Sequence, residues 1–192
     1  MMRPATTADA AALARICLLT GAAGADATAL YTSPTALADV YATPYVTGPG
    51  CFAWVWEDAG TVAGYLLGTR STRDFQEWFT REWWPTREGL HAWVSDADHA
   101  LRRAARNERR MLVDAVDAYP AHLHIDLLPA VQGRGVGRTL MEAAVATLAG
   151  EGVPGLHLTA DAANTGALAF YPRVGFTMLE DGPGVTFGRL LG

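Results

Sequence analysis

His122-Leu-His-Ile-Asp-Leu-Leu-Pro-Ala-Val-Gln-Gly-Arg-Gly-Val-Gly137 is the stretch whose reading decides the fold. Leu123, Ile125 and Leu127 alternate with His122, His124 and Asp126, the period of a strand. Pro129 has no N–H for a ladder, so the strand is expected to end or bulge just before it. Gly133, Gly135 and Gly137 follow, and then Val136, Leu140, Ala143, Ala144 and Thr147 recur at helical spacing. A strand, a glycine-rich turn and a helix make an anion cradle. The first-turn N–H groups lack intrahelical partners, and the helix dipole adds roughly half a positive charge there. Glycine lets the backbone approach the ligand without a Cβ in the way. A diphosphate is the ligand this arrangement favours.

The motif's details narrow the choice. A Walker loop needs four residues between its glycines and then Lys plus Ser or Thr. Gly133 and Gly137 enclose three, and Arg138-Thr139 follows. A dinucleotide fingerprint needs G-x-G-x-x-G near the start of a βαβ unit. Gly133-Arg134-Gly135-Val136-Gly137 has another spacing and lies two-thirds of the way along the chain. Gln132, Gly135 and Gly137 instead fill the fixed positions of the acetyl-CoA loop of the GNAT N-acetyltransferases, which the stretch resembles. Downstream, Asn164-x-x-Ala167-x-x-Phe170-Tyr171-x-x-x-Gly175-Phe176 resembles a second block of that family, in the right order. The motif His-Ile-Asp-Leu-Leu-Pro is most similar to acetyltransferase-like domains related to the C-terminal part of O-GlcNAcases. The resemblance is firm over about 120–178, looser before, and absent over roughly 70–120.

The resemblance implies a mixed α/β domain spanning 1–192, with a mostly antiparallel sheet of about seven strands flanked by helices. The acetyl-CoA-binding core would be 122–178, with a helical, Trp-rich insert at 70–120 before the fourth strand. It assigns cofactor contacts to Leu127, Leu128, Gln132, Gly133, Arg134, Gly135, Val136, Gly137, Arg138, Asn164, Tyr171 and Arg173. In the family the fourth and fifth strands splay apart and admit the pantetheine arm between them. The implied reaction is transfer of an acetyl group from acetyl-CoA to the primary amine of a small molecule or peptide. Two rivals stay open: an acyl-CoA-binding module without turnover, and a Rossmann-type nucleotide binder with Asp161 on the ribose.

The composition agrees with one globular domain. At 192 residues the chain is long enough to bury about 70% of its unfolded surface, with half its residues hydrophobic and 18% charged. All 15 Lys+Arg residues are arginine, which reads as coding bias. A net charge of −5 argues against nucleic acid and suits a cationic amine. Cys17 and Cys51 have neither metal spacing nor a disulfide framework, as expected in a reducing cytoplasm. No apolar run reaches the ~20 residues of a membrane span.

Before the central stretch, residues 1–7 read as a short strand. Thr7 or Asp9 caps a helix carrying Leu13, Ile16 and Cys17 and ending near Gly21. A helix is expected over Ser33 to Tyr41. Two strands follow, at Cys51–Trp56 and Thr61–Thr69, with a hairpin turn at Glu57–Gly60. In the insert, Trp78, Trp83, Trp84 and Trp93 suit either a substrate lid or dimer surface, or plain packing. A helical face of Leu101, Ala105, Leu112 and Ala115 is expected between Asp98 and Val116, with a homodimer left open. After the loop helix come a strand at Leu156–Asp161 and a helix from Asn164 that Pro172 interrupts after Tyr171. Two closing antiparallel strands lie at Thr177–Glu180 and from Val185.

The chemistry is expected on the strand that opens the stretch. A strand inside a covered sheet normally reads apolar on both faces. His122, His124 and Asp126 in alternation are therefore candidate site residues, although histidines at a strand end also serve simply as hydrogen-bonded core. His-x-His is also zinc spacing, but the family resembled needs no metal. Arylalkylamine N-acetyltransferases carry a similar His-Leu-His; counted back from the loop, the pair here is displaced by one residue. Asp126 is the first choice for the base, His124 the second. Leu127 or Leu128 N–H is the expected oxyanion donor, and Tyr171 the acid that protonates the leaving thiolate.

Overall fold

The computed structural model describes residues 1–192. Strand β1 (Met2–Pro4) leads into helix α1 (Ala10–Thr20), then α2 (Ala36–Tyr41) and α3 (Pro44–Thr47). Strands β2 (Cys51–Asp58) and β3 (Thr61–Thr69) form a hairpin that pairs Asp58 with Thr61. Ala59 and Gly60 both take positive φ, 47° and 78°, which matches the twist of a two-residue hairpin turn. The insert follows as α4 (Thr72–Trp78), a π-turn over Phe79–Trp83, α5 (Trp84–Arg87) and α6 (Asp96–Arg106). Strand β4 (Ala121–Leu127), α7 (Val136–Gly150), β5 (Gly155–Asp161) and α8 (Thr165–Phe170) build the second half. The antiparallel pair β6 (Thr177–Glu180) and β7 (Gly184–Leu190) ends the chain.

The seven strands make one sheet in the order β1-β2-β3-β4-β5-β7-β6. Every pairing is antiparallel except β4 with β5. That order rules out the doubly wound parallel sheet of a Rossmann-type binder. Alternation along β4 turns Leu123, Ile125 and Leu127 to the face covered by α7, where Leu140, Met141, Ala144 and Leu148 are buried. His122, His124 and Asp126 face α1, α2, α3 and the insert, where Leu13, Tyr45, Tyr65 and Phe75 form the other core. The strand stays in register with β3 through Leu127, without a bulge at that position. No helix is long and apolar enough to cross a membrane.

The insert is helical, and its aromatic residues are packing. Phe75, Phe79 and Trp84 are buried in the core over α1 and α2, and Trp78, Trp83 and Trp93 pack against its edge. Trp83 Nε1 donates to Asp39 O at the end of α2, 2.8 Å away. The expected helix from Asp98 to Val116 stops at Arg106. Leu101 and Ala105 are buried as one face, whereas Leu112 and Ala115 lie in the turns beyond. Asn107 begins that turn, and its side chain accepts from Arg109 N, the local bond by which Asn competes with a helix.

Asp98 ties this insert to the loop after α1. Fully buried, it closes a capping box with Ser95 and also accepts from Val94 N, Thr32 N and Thr32 Oγ1. Burial pushes its carboxyl up, but the bonds from Thr32, Ser95 and Val94 prevail and hold it well below the usual range. Asp98→Ala should therefore cost about 3 kcal/mol in urea unfolding, because several buried donors lose their acceptor. A depressed folded-state pKa stabilises above the unfolded value and loses that effect as pH falls. The stability gap between wild type and variant should hold above about pH 4 and shrink only in stronger acid.

Candidate active site

β4 and β5 pair only at Ala121–Leu156 and His122–His157, and then diverge. β5 is meanwhile paired with β7 along its whole length, from Gly155 to Asp161. The gap opens on one side of β4 alone. In an antiparallel ladder the backbone groups of successive residues point to opposite sides. Leu128 N–H donates to Ala63 O at 2.9 Å, so Asp126 and His124 also turn their backbone groups to β3. Leu127 and Ile125 then turn theirs into the gap. The Leu127 carbonyl is taken by Gln132 Nε2 at 2.8 Å. Of the two backbone donors expected from the sequence, Leu127 is the one whose N–H faces the gap. Leu128 is committed to the sheet.

The gap continues into a cleft of about 790 Å³. Its floor is Ile125, Asp126 and Leu127, and one end is the turn Gln132, Gly133, Gly135, Val136, Gly137 and Arg138. Gly135, the residue before α7, has φ 80°, and Gly133 has φ 70°, so this turn requires the left-handed region twice. No atom lies within 4 Å of where a Cβ on either would sit. The space above the turn is therefore open to a ligand, with the first-turn N–H groups of a 15-residue helix beneath it. Arg138 donates to Arg173 O at 3.2 Å, which brings both arginines to this end of the cleft. Arg134 lies elsewhere: exposed, it pairs with Asp58 at 3.0 Å, because the turn points its side chain to the β2–β3 hairpin.

The far wall comes from α8. Asn164 caps that helix by accepting from Ala167 N at 3.1 Å, and its side chain also lines the cleft. Helix α8 ends at Phe170, and a 3₁₀ turn from Tyr171 to Val174 carries Pro172, as its missing N–H requires. Tyr171 is buried against Phe176 and Phe187, yet its hydroxyl bonds to no protein group and is not sealed from solvent. Burial, aided by the Asp126 charge, pushes its pKa up, so the phenol keeps its proton at neutral pH. Thr20, Ala23, Gly24 and Ala25 make a further wall, which the family resemblance implied only as a region, residues 21–50, without naming the residues. Gly24, at φ 90°, lies against Asn164. The local trace of that wall in the sequence is the Gly- and Ala-rich run after α1.

Asp126 accepts a 2.6 Å bond from Tyr65 OH and lines the cleft. Burial raises its pKa, and the Tyr65 bond and the Thr20 hydroxyl oppose the rise. His124 is absent from the lining of the cleft and sits two residues up the strand, bonded to Tyr45 OH at 3.0 Å. Burial and the nearby Arg110 charge lower its pKa to about 3, so it is neutral. His122 is buried between Tyr45 and Thr72 and is held well below the usual range, burial being the main cause. The ring nitrogens that bond Tyr45 and Thr72 are not arranged for zinc, and no cluster of His, Cys, Asp or Glu is placed to hold a metal. No residue of the insert lines the cleft either, so the lid reading of Trp83 and Trp84 gives way to packing.

A mixed sheet that splays above a glycine turn defines an acetyltransferase fold. The crystal structure named SsHAT superposes with a TM-score of 0.90 at 39% identity, over 100% of this chain and 98% of that one. The family model for the acetyltransferase (GNAT) family matches residues 25–176, and the chain belongs to that family. A GNAT superfamily phosphinothricin acetyltransferase from Sinorhizobium meliloti, solved in complex with AcCoA, shares the fold at a TM-score of 0.59 and 18% identity, over 100% of this chain and 88% of that one. The mycothiol acetyltransferase of Jonesia denitrificans is 51% identical over 51 residues, 27% of this chain. The matched segment spans 16% of that protein's length.

The Tyr65 bond is separable from the rest of the site. Tyr65→Phe keeps the ring and removes the stronger of the donors that stabilise the Asp126 carboxylate. The Asp126 pKa should rise further, read from its carboxyl carbon resonance across a pH titration; an unchanged midpoint would remove Tyr65 from the site's electrostatics.

Proposed function

We propose that this protein is an acetyl-CoA-dependent N-acetyltransferase that moves an acetyl group by direct attack of a primary amine. The observation that carries the reading is the separation of β4 from β5 directly above the Gly133–Gly137 turn, with Asp126 and Tyr171 on the walls. The open space over Gly133 and Gly135 suits a diphosphate, with Arg138 and Arg173 beside it. The unpaired edge of β4 suits an amide-bearing arm, which would extend the sheet as a false strand between β4 and β5. Acetyl-CoA has both parts, and when bound it supplies the activated acetyl group. The family assignment favours the same cofactor. The His124–Pro129 hexapeptide supports a finer kinship with the O-GlcNAcase-related domains.

Each side chain then has a task. An alkyl amine has a pKa of about 10 and is mostly ammonium at neutral pH, so a base must take a proton before attack. Asp126 is that base, directly or through water, because it opens to the cleft and its raised pKa makes it a better acceptor than an ordinary carboxylate. Leu127 N–H polarises the reacting carbonyl. Tyr171 protonates the departing thiolate, its phenol being held in the acid form. Holding both reactants in one cleft supplies much of the rate. The acceptor is a small molecule or peptide entering from the side of Thr20 and Gly24.

Three variants test this. Gly135→Val should weaken acetyl-CoA about 10-fold or more in calorimetry, since the side chain enters the ligand's space and φ 80° strains a β-branched residue. Unchanged affinity in a folded variant would overturn the cofactor assignment. Activity is read as thiol release with a panel of alkylamines, arylalkylamines, amino acids and short peptides. Tyr171→Phe should lose about 10²-fold in kcat at little change in acetyl-CoA affinity, the lower end for a general acid because thiolate is a good leaving group. Asp126→Asn should lose more near neutrality and progressively less as pH rises and free amine forms. A loss independent of pH would remove Asp126 as the base.

A further inference from the structure

The charged side chains of the cleft are sorted by sign along its length. Arg138 and Arg173 lie together at the turn end, beside the space suited to the diphosphate. Asp126 is the one other charged residue of the lining, and the wall after α1 is small and neutral: Thr20, Ala23, Gly24 and Ala25. The chain has no lysine. Arg110, whose charge reaches His124, packs against the Tyr41 and Phe79 rings and lines no part of the cleft.

The rim continues the negative sign. A Cβ on Gly24 would lie 3.1 Å from the Asn164 side chain, so the loop after α1 meets the α8 wall there. Exposed Asp26 follows Ala25 in that loop, and exposed Asp161 ends β5 just before α8. Asp161 Oδ1 accepts from the N–H of Ala163, a residue of the lining, at 2.8 Å. Asp26 Oδ1 accepts from Thr28 N at 2.8 Å, and the Thr28 hydroxyl and N–H hold its carboxyl below the usual range. Both carboxylates are bonded to donors of their own loops rather than to arginine, so their charge is left for whatever approaches. Inside this rim Tyr171 is 7% exposed, and its unpartnered hydroxyl marks a bond that a ligand can complete.

We infer that the acceptor is a cationic amine with no carboxylate beside its reacting nitrogen, and that Asp26 and Asp161 at the mouth are specificity-determining residues that select it. The inference rests on the amine-acetylation reading and narrows it: free amines are taken and α-amino acids are refused. Asp126 has to be ionised to act as the base. An ammonium bonded to it would bring an α-carboxylate within about 5 Å of the Asp126 charge. At an effective dielectric constant of about 20, that repulsion is worth about 10²-fold. No arginine at this end of the cleft offsets it. The rim aspartates attract an incoming ammonium and repel a carboxylate, with a reach of about 10 Å at 0.1 M salt.

The test compares matched compounds by thiol release from acetyl-CoA: phenethylamine with phenylalanine and its methyl ester, and isoamylamine with leucine and its methyl ester. The better amine should exceed its amino acid about 10²-fold in kcat/KM. The ester keeps the bulk and loses the charge, so it should recover most of the difference when rates are expressed per free amine. Asp26→Asn combined with Asp161→Asn keeps both loop bonds, because an amide oxygen accepts as a carboxylate does. This variant should raise KM for the better amine about fivefold at about 20 mM salt and lose most of that effect at about 0.5 M, where charges are screened within a few ångströms. Acetyl-CoA affinity should be unchanged. An amino acid used as well as its amine, or an ester as poor as the amino acid, overturns the inference and leaves amine acetylation standing. A folded double variant with wild-type KM at low salt overturns the role of the rim. Absence of thiol release with every amine overturns the acetylation reading and this inference together.

Discussion

The separation of β4 from β5 is the constraint on which the rest of this molecule depends. Backbone groups that leave a ladder need other partners, so the gap persists only because both ends are fixed. At the closed end, Tyr119 is wedged against β5 and β7. A Cβ on Gly155 would collide with the Ala118 carbonyl, and one on Gly188 with the Tyr119 ring. His157 Nδ1 clasps Tyr119 O at 2.6 Å, pinning the start of β5 beside the start of β4. At the open end, Leu128 is bonded to β3 and Gln132 to Leu127 O, which hold β4 away from β5 as the chain turns into α7. The cleft is thus built into the sheet rather than carved between domains.

The electrostatics of β4 follow from which face is covered. His122, His124 and Asp126 lie under three helices and the insert, where charge is expensive. The histidines respond by staying neutral and the carboxyl by a raised pKa. Each is held by a tyrosine hydroxyl, Tyr45 for the pair of histidines and Tyr65 for Asp126. A core built for stability alone would have apolar residues here. A local departure of this kind, in which each buried polar side chain of the strand meets a tyrosine hydroxyl, is what a preorganised site looks like.

The insert contributes by covering rather than by contact. Trp84 and Phe79 stack with ring centroids 6.1 Å apart, and Asp98 and His91 bind the insert to the residues around α2. This layer removes water from the histidine face of β4 and thereby sets the surroundings of Asp126. A segment that lines no part of the cleft can shape the chemistry through the medium it provides.

The strand–glycine–helix order, the hairpin at residues 51–69, the break at Pro172 and the two-block family resemblance were all legible in the sequence. Each rests on local chemistry: alternation, positive-φ glycines, or a missing N–H. Asp126 and the Gly133–Gly137 turn were legible as candidates for the same reason, and Tyr171 through the family resemblance; all three line the cleft. The fate of the tryptophans was not, because an aromatic residue reads alike on a lid and in a core, and only packing tells them apart. Nor was the commitment of Leu128 N–H to Ala63, the diversion of Arg134 to Asp58, or the hub at Tyr45. These join residues between 65 and 79 positions apart, and no local pattern encodes such a pairing. Residue types and the turn between β4 and α7 are properties of the sequence. Which backbone donor faces the gap, and which polar side chains of β4 are buried, were decided by the sheet register and by the helices that cover it.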